Sequence, residues 1–217
     1  AAHSELTRTQ IISIQGSTMG LLALLLGFTF SMALSRFEYR KQMVVQESNA
    51  IGTAALPSQF LPTARDEEVN RLFCRYVEIR LESVLGTCQD SPERKRLDIE
   101  DRQIQFRLWR IANEAAETDP QSIPLGLFTD AVNEIIDVKM RRDIAVANHV
   151  PESVLIFLLA FAVLVAVVLG YGNGLAGARM PSLTVAYCVI VVLVVVLIID
   201  LDHPQQGFAR TSQQSMI

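Results

Sequence analysis

Side chains able to do chemistry gather at few places in this chain. Asp200, Asp202 and His203 form one compact ionisable cluster, directly after an uncharged run. As a cation site it offers too few oxygens, because calcium takes roughly six to eight. Ion pairing suits these carboxylates better. Arg36 and Arg40 follow another uncharged run, and pairs between them and Asp200 or Asp202 would fix where two segments meet. His149 and His203 read as interface residues rather than ligands. The chain carries no P-loop, no HExxH, no GxSxG and no paired His/Cys spacing, so it points to no enzyme, metal or cofactor. Cys74 and Cys88 are expected on one helix about 21 Å apart, too far for a disulfide, and Cys188 sits in an apolar run.

The elements that must position these groups are helices. Ile11–Leu34, Val154–Leu169 and Leu183–Ile199 contain no Asp, Glu, Lys or Arg. The first is about 24 residues long, enough for a hydrocarbon core that needs roughly 20, and flanking residues complete the shorter two. The absence of buried charge removes the usual signature of proton-coupled transport. No proline interrupts the chain from Ile11 until Pro57, so one helix is expected from Ile11 to about Ala55, half in lipid and half in water. Some 45 residues at about 1.5 Å each would reach on the order of 65 Å, well beyond one bilayer.

One face of this helix is small, then polar. Steps of three and four give Gly16, Gly20, Ala23, Gly27, Ser31 and Ser35, then Glu38, Gln42, Gln46, Asn49 and Thr53. Two explanations fit. Small residues let membrane helices pack closely, and Gly16-x-x-x-Gly20 and Gly27-x-x-x-Ser31 have that form. Alternatively the stripe lines a water-filled path that continues into a vestibule. Glu47 and Asn49 lie on the polar extension, where helix–helix hydrogen bonding is the plain reading.

Composition agrees with a membrane protein, with 50% hydrophobic residues and a mean hydropathy of +0.30. A net charge of −4 suggests no nucleic-acid partner. The apolar run is too long for a signal peptide and lacks a cleavage-site pattern. Residues 1–56 are expected to form the first membrane helix and its cytoplasmic extension, after a polar lead from Ala1 to Gln10. Residues 57–150 should make a cytoplasmic helical region with helices over Asp66–Cys88, from Ser91-Pro92 to Asp119-Pro120, and from Pro124 to the basic Lys139, Arg141 and Arg142. In the first, Val69, Phe73, Tyr76, Val77, Leu81, Val84 and Leu85 make the apolar side. In the second, Ser91 is the N-cap and Pro92 takes the first position. Residues 151–200 should be a transmembrane hairpin with a glycine-rich break at Gly170–Gly174, and residues 201–217 a cytoplasmic tail. Arg36, Arg40, Lys41, Lys139, Arg141 and Arg142 place the charged region inside, with only Arg179 in the outer loop.

GLLALLLGFTFSMALSRFE with the KQMVVQESNAIGTA continuation, Asn133-Glu134, HVPESVL at His149–Leu155 and DLDHPQQGF at Asp200–Phe208 resemble the bestrophin-like family of bacterial membrane proteins. The resemblance covers nearly the whole chain. It implies an all-α fold and, through a remote relation to pentameric anion channels, membrane helices and a cytoplasmic bundle around one axial pore. The second of four membrane helices would line that pore. Here that is the Ile11–Leu34 span, so one further helix is expected upstream. Gly20, Gly27, Phe30, Ser31, Ser35, Glu38, Gln42 and Asn49 become the pore-lining candidates, with at most one of Phe28 and Phe30 facing the pore. Asp200 and Asp202 are a poor substitute for the acidic clasp of calcium-gated bestrophins. Two readings stand. One is a homo-oligomeric ion channel in the bacterial inner membrane, in contact with lipid and inorganic ions. The other is a non-conducting scaffold or sensor whose cytoplasmic bundle binds a partner protein.

Overall fold

The computed structural model describes residues 2–85, 91–175 and 181–202. The expectations for Cys88, Arg179, His203 and the tail beyond it fall outside them. Among the described residues every regular element is helical. The order is α1 (Ala2–Ala55), a 3-10 turn (Pro57–Phe60), α2 (Thr63–Leu85), α3 (Pro92–Thr118), α4 (Ile123–Ala147), α5 (Glu152–Leu175) and α6 (Pro181–Asp202).

Three helical stretches, within Thr9–Phe60, Ile123–Gly174 and Thr184–Asp202, are long and apolar enough to cross a membrane. The helix α1 is longer than its apolar run requires. It begins at Ala2, because nothing in the polar lead breaks a helix, and it stops at Ala55, just ahead of Pro57. The glycine-rich stretch does not break α5, which continues to Leu175. In apolar surroundings the backbone keeps its own hydrogen bonds, so glycine there remains helical.

The chain divides into two compact units. Among the described residues, the membrane unit takes in those up to Phe37 and those from His149 to Asp202. Its core comprises Leu22, Leu26 and Ala33 of α1, Val150, Leu158 and Val165, and Val195, Ile198 and Leu201 of α6. The outer faces of α5 and α6 expose large apolar side chains, among them Ile156, Phe157, Val163, Val192 and Leu193. A patch of that size suits lipid rather than water. One polar group ties α1 to α5. Gln15 Nε2 donates to the carbonyls of Val168 at 3.1 Å and Leu169 at 3.4 Å. Gly172 makes room for it, since a Cβ there would stand 2.0 Å from Gln15 Nε2. Gly172→Ala should therefore turn Gln15 out of both bonds. The expected cost is about 0.6–1.7 kcal/mol, the range for such contacts between membrane helices. Thermal unfolding in detergent reads it, and an unchanged midpoint would show that Gln15 holds nothing together.

The charged unit runs from Glu38 to Asn148. Its core gathers Ala50 and Ala54 of α1, Val69, Phe73, Tyr76 and Ile79 of α2, Leu97, Ile104, Leu108 and Ile111 of α3, and Phe128, Val132 and Ile135 of α4. These repeats at three and four residues put one apolar stripe per helix inward. Ser91 caps α3 by accepting from Arg94 N at 3.2 Å, with Pro92 at the first turn. An Arg75–Glu100 fork, at 2.7 and 3.0 Å, clamps α2 to α3.

Candidate functional site

The candidate site is a face of α1. Gly16, Gly20, Ala23, Gly27, Ser31, Ser35, Glu38, Gln42, Gln46, Asn49 and Thr53 are all exposed in the protomer. On the opposite side Leu22, Leu26, Thr29, Ala33, Arg40, Met43, Glu47, Ala50 and Ala54 are buried. A Cβ added at Gly16, Gly20 or Gly27 would meet nothing within 4 Å. The small residues of the stripe therefore do not serve packing inside one chain. Of the two phenylalanines, Phe28 is 65% exposed, whereas Phe30 packs against the apolar cluster of the membrane unit. Phe30 thus sits toward the core side, away from the other candidates. In the charged unit the stripe borders an open groove of about 250 Å³, lined by Gln46, Asn49, Ala50 and Thr53 of α1 with Ala131 and Glu134 of α4.

Buried charge supports this half of α1 from behind. Glu47 is fully buried. Tyr76 Oη donates to Glu47 Oε1 at 2.6 Å, and Arg142 donates to Oε2. Arg80 Nε lies 2.9 Å from Oε1, as an ion pair without hydrogen-bond alignment. Burial alone would push the Glu47 carboxyl up, but Arg80, Arg142 and the Tyr76 hydroxyl bring it below the ordinary value. Nearby, Lys139 Nζ lies 3.2 Å from Asp101 Oδ2 and 2.8 Å from Asp143 Oδ2. There burial prevails, and the Asp101 carboxyl is pushed up despite Arg80 and Lys139. The site thus has a wet polar side and a tightly paired dry side.

Arg40 is buried in the charged unit and caps α4, donating from Nε to Ala145 O at 3.0 Å and from its terminal nitrogen to Asn148 O at 2.9 Å. These are end carbonyls with no partner inside their own helix. In the membrane unit Arg36 donates to His149 O. Asp202, fully buried, accepts from Val150 N at 3.0 Å, and its Oδ2 lies 3.5 Å from His149 Nδ1. Arg36 and Asp202 thus hold the backbone of the His149–Val150 segment, and Arg40 holds the end of α4. Asp200 is half-buried.

Sequence reading put Glu47 on the polar extension without naming its partners, and it gave Arg80 no role. One signal was available: Glu47 lies four residues after Met43 and three and seven before Ala50 and Ala54, all on the side opposite the stripe. Among the described residues no group of three or more His, Cys, Asp or Glu could hold a metal ion.

The sequence profile of the bestrophin-like domain matches residues 7–216. Two crystal structures of point mutants of a bacterial bestrophin homologue from Klebsiella pneumoniae are similar to this chain. One superposes with a TM-score of 0.75 at 17% identity, covering 94% of this chain and 83% of that one. The other gives 0.74 at 16%, with the same coverage. At such identity the likeness shows the fold. No curated protein sequence matches this chain.

Proposed function

The chain belongs to the bestrophin-like family, and on that premise we propose that identical subunits close into a symmetric ring and conduct ions along an axis lined by the exposed stripe of α1. The observation that carries this reading is the complete exposure of that stripe while the other side of the same helix is buried. A protomer alone would leave glycine backbone bare in lipid and a polar row bare beyond it. A water-filled axis suits both halves of the helix at once, and within the charged unit the groove beside Gln46, Asn49 and Thr53 would widen it.

Charge on the path sets the ion. Glu38 is the only ionisable residue of the stripe, and Glu134 borders the groove. A ring of carboxylates favours cations. This differs from the anion conduction that the family resemblance implies, because no arginine or lysine of α1 shares the stripe. Glu38→Lys should move the reversal potential in planar bilayers toward anion selectivity. An unmoved potential would place Glu38 off the path.

In this reading the protein spans the bacterial inner membrane with Lys41, Lys139, Arg141 and Arg142 on the cytoplasmic side. Native mass spectrometry in mild detergent, with ion flux in liposomes, tests the proposal. A closed ring with flux above that of empty vesicles is the expected result. A ring that never conducts leaves a scaffold, and a monomer removes both the ring and the path.

A further inference from the structure

Inside the charged unit one carboxyl has no hydrogen bond. Asp101 of α3 is 1% exposed, and among the described residues neither of its oxygens accepts one. One turn further along α3, the buried Nε2 of Gln105 is also without a partner. Buried polar groups nearly always have partners, so an orphaned carboxyl calls for an explanation. The groups that face Asp101 come from three other helices. They are Glu47 of α1, Tyr76 and Arg80 of α2, and Lys139 of α4, with Arg142 and Asp143 of α4 behind them. Glu47 holds Arg80 and Arg142. Lys139 is left between two carboxyls, 3.2 Å from Asp101 Oδ2 and 2.8 Å from Asp143 Oδ2. Asp143 is 51% exposed, so Lys139 joins a dry carboxyl to a wet one.

We infer that Asp101 is a proton-binding site, and that its charge state either holds Lys139 inward against α3 or releases it toward Asp143 and water. Charge balance supports this. With Asp101 ionised, Arg80, Arg142 and Lys139 are matched by Glu47, Asp101 and Asp143. A proton on Asp101 leaves one positive charge in excess. The arginines keep Glu47, so the excess falls on Lys139, whose remaining partner lies at the surface. Burial holds the Asp101 carboxyl above its ordinary value against the pull of Arg80 and Lys139. The neutral form therefore persists above the usual aspartate value of about 3.9. Lys139 and the groove residue Glu134 stand five apart on α4, about 7.5 Å along its axis. Protonation thus adds positive charge behind a groove edged by a carboxylate, and acid should lower cation passage. That consequence rests on the conducting reading above; the proton site does not.

The test uses the full chain in mild detergent, with helix content followed by circular dichroism. Infrared difference spectra between acid and neutral pH should contain the C=O band of a protonated carboxyl that Asp101→Asn lacks, titrating above the ordinary aspartate value. At one neutral pH, an amine-acylating reagent should modify Lys139 severalfold more in Asp101→Asn than in wild type, with exposed Lys95 as the internal reference. The ionised carboxyl keeps the Lys139 ammonium charged and inside, and both suppress acylation. Identical infrared spectra, or an unchanged Lys139 to Lys95 ratio at unchanged helix content, would overturn the site. Should Asp101→Asn lose helix content, Lys139→Gln decides. Removing that cation should move the band to higher pH, and an unmoved midpoint would overturn the pairing. In liposomes at neutral pH, Asp101→Asn should shift the reversal potential away from cations. An unmoved potential beside altered labelling would overturn the regulation of flux and leave the proton site standing. Wild-type vesicles without flux would overturn the conducting reading, while labelling and infrared spectra still decide the site.

Discussion

Glu47→Ala should destabilise the charged unit by about 3–5 kcal/mol, the range for removing one partner of a buried ion pair. The carboxylate is fully buried and serves Tyr76, Arg80 and Arg142 together. Without it Arg80 and Arg142 lose the buried carboxylate they share, and Arg80 is left to the more distant Asp143 at 3.8 Å. Glu47→Gln keeps an acceptor for Tyr76 but removes the charge, so it should fall between wild type and alanine. The pH dependence has a definite sign. The Glu47 carboxyl titrates below its ordinary value. Its contribution is therefore complete above the unfolded carboxylate range, near 4.3, and is lost as pH falls through the lowered folded value. Asp101 acts oppositely, because its carboxyl is raised. Its contribution is present at low pH and lost as pH rises through that raised value. Acid sensitivity should thus reside in Glu47 together with Glu100, whose carboxyl the Arg75 hydrogen bond also holds below its ordinary value, and should weaken in Glu47→Ala. Thermal unfolding followed by circular dichroism at neutral and acid pH measures both effects. A Glu47→Ala midpoint near wild type would mean that Arg80 and Arg142 find other company at no cost.

Gly27→Leu should abolish ion flux while leaving the ring assembled. The glycine faces open space in the protomer, where an added Cβ would meet nothing within 4 Å. Any effect must arise where copies meet or along the axis. On the axis a ring of leucines at lipid depth makes a hydrophobic constriction, which blocks ions by dewetting. Ser31→Asp, one turn further on, should leave flux and raise the preference for cations. If the stripe instead seats against a neighbouring helix, leucine cannot fit where helices touch through glycine, and Gly27→Leu would break the assembly. Size exclusion with liposome flux separates these outcomes. A Gly27→Leu ring conducting at the wild-type rate would contradict both.

Helices and caps were legible because their signals are local. Pro57, Ser91-Pro92 and Asp119-Pro120 set boundaries by backbone chemistry alone. The stripe was legible because helical spacing is short-range. Close to the reading, too, was the inward side of α2, where Val69, Phe73 and Tyr76 are buried, although Ile79 and Arg80 join them and Val77 and Leu81 are only half-buried. Burial of Arg80 depends on a carboxylate 33 residues earlier, which periodicity in α2 cannot reveal. The expected break at Gly170–Gly174 failed for a related reason. Glycine is punctuation in water, but the helical hydrogen bonds of α5 persist there, and Gly172 makes space for Gln15 of another helix. Long-range partners, not local propensity, decided both.

The axial path is tested most directly by a thiol placed on it. With Cys74, Cys88 and Cys188 replaced, Ser31→Cys protein in liposomes would be treated with a charged, water-soluble thiol reagent. Val163→Cys, on the exposed apolar face of α5, is the control. Modification at Ser31 should cut ion flux sharply, and treatment of the Val163 variant should leave it unchanged. Flux equal to that of empty liposomes before any treatment, or full flux after complete modification at Ser31, would contradict a conducting axis along this face.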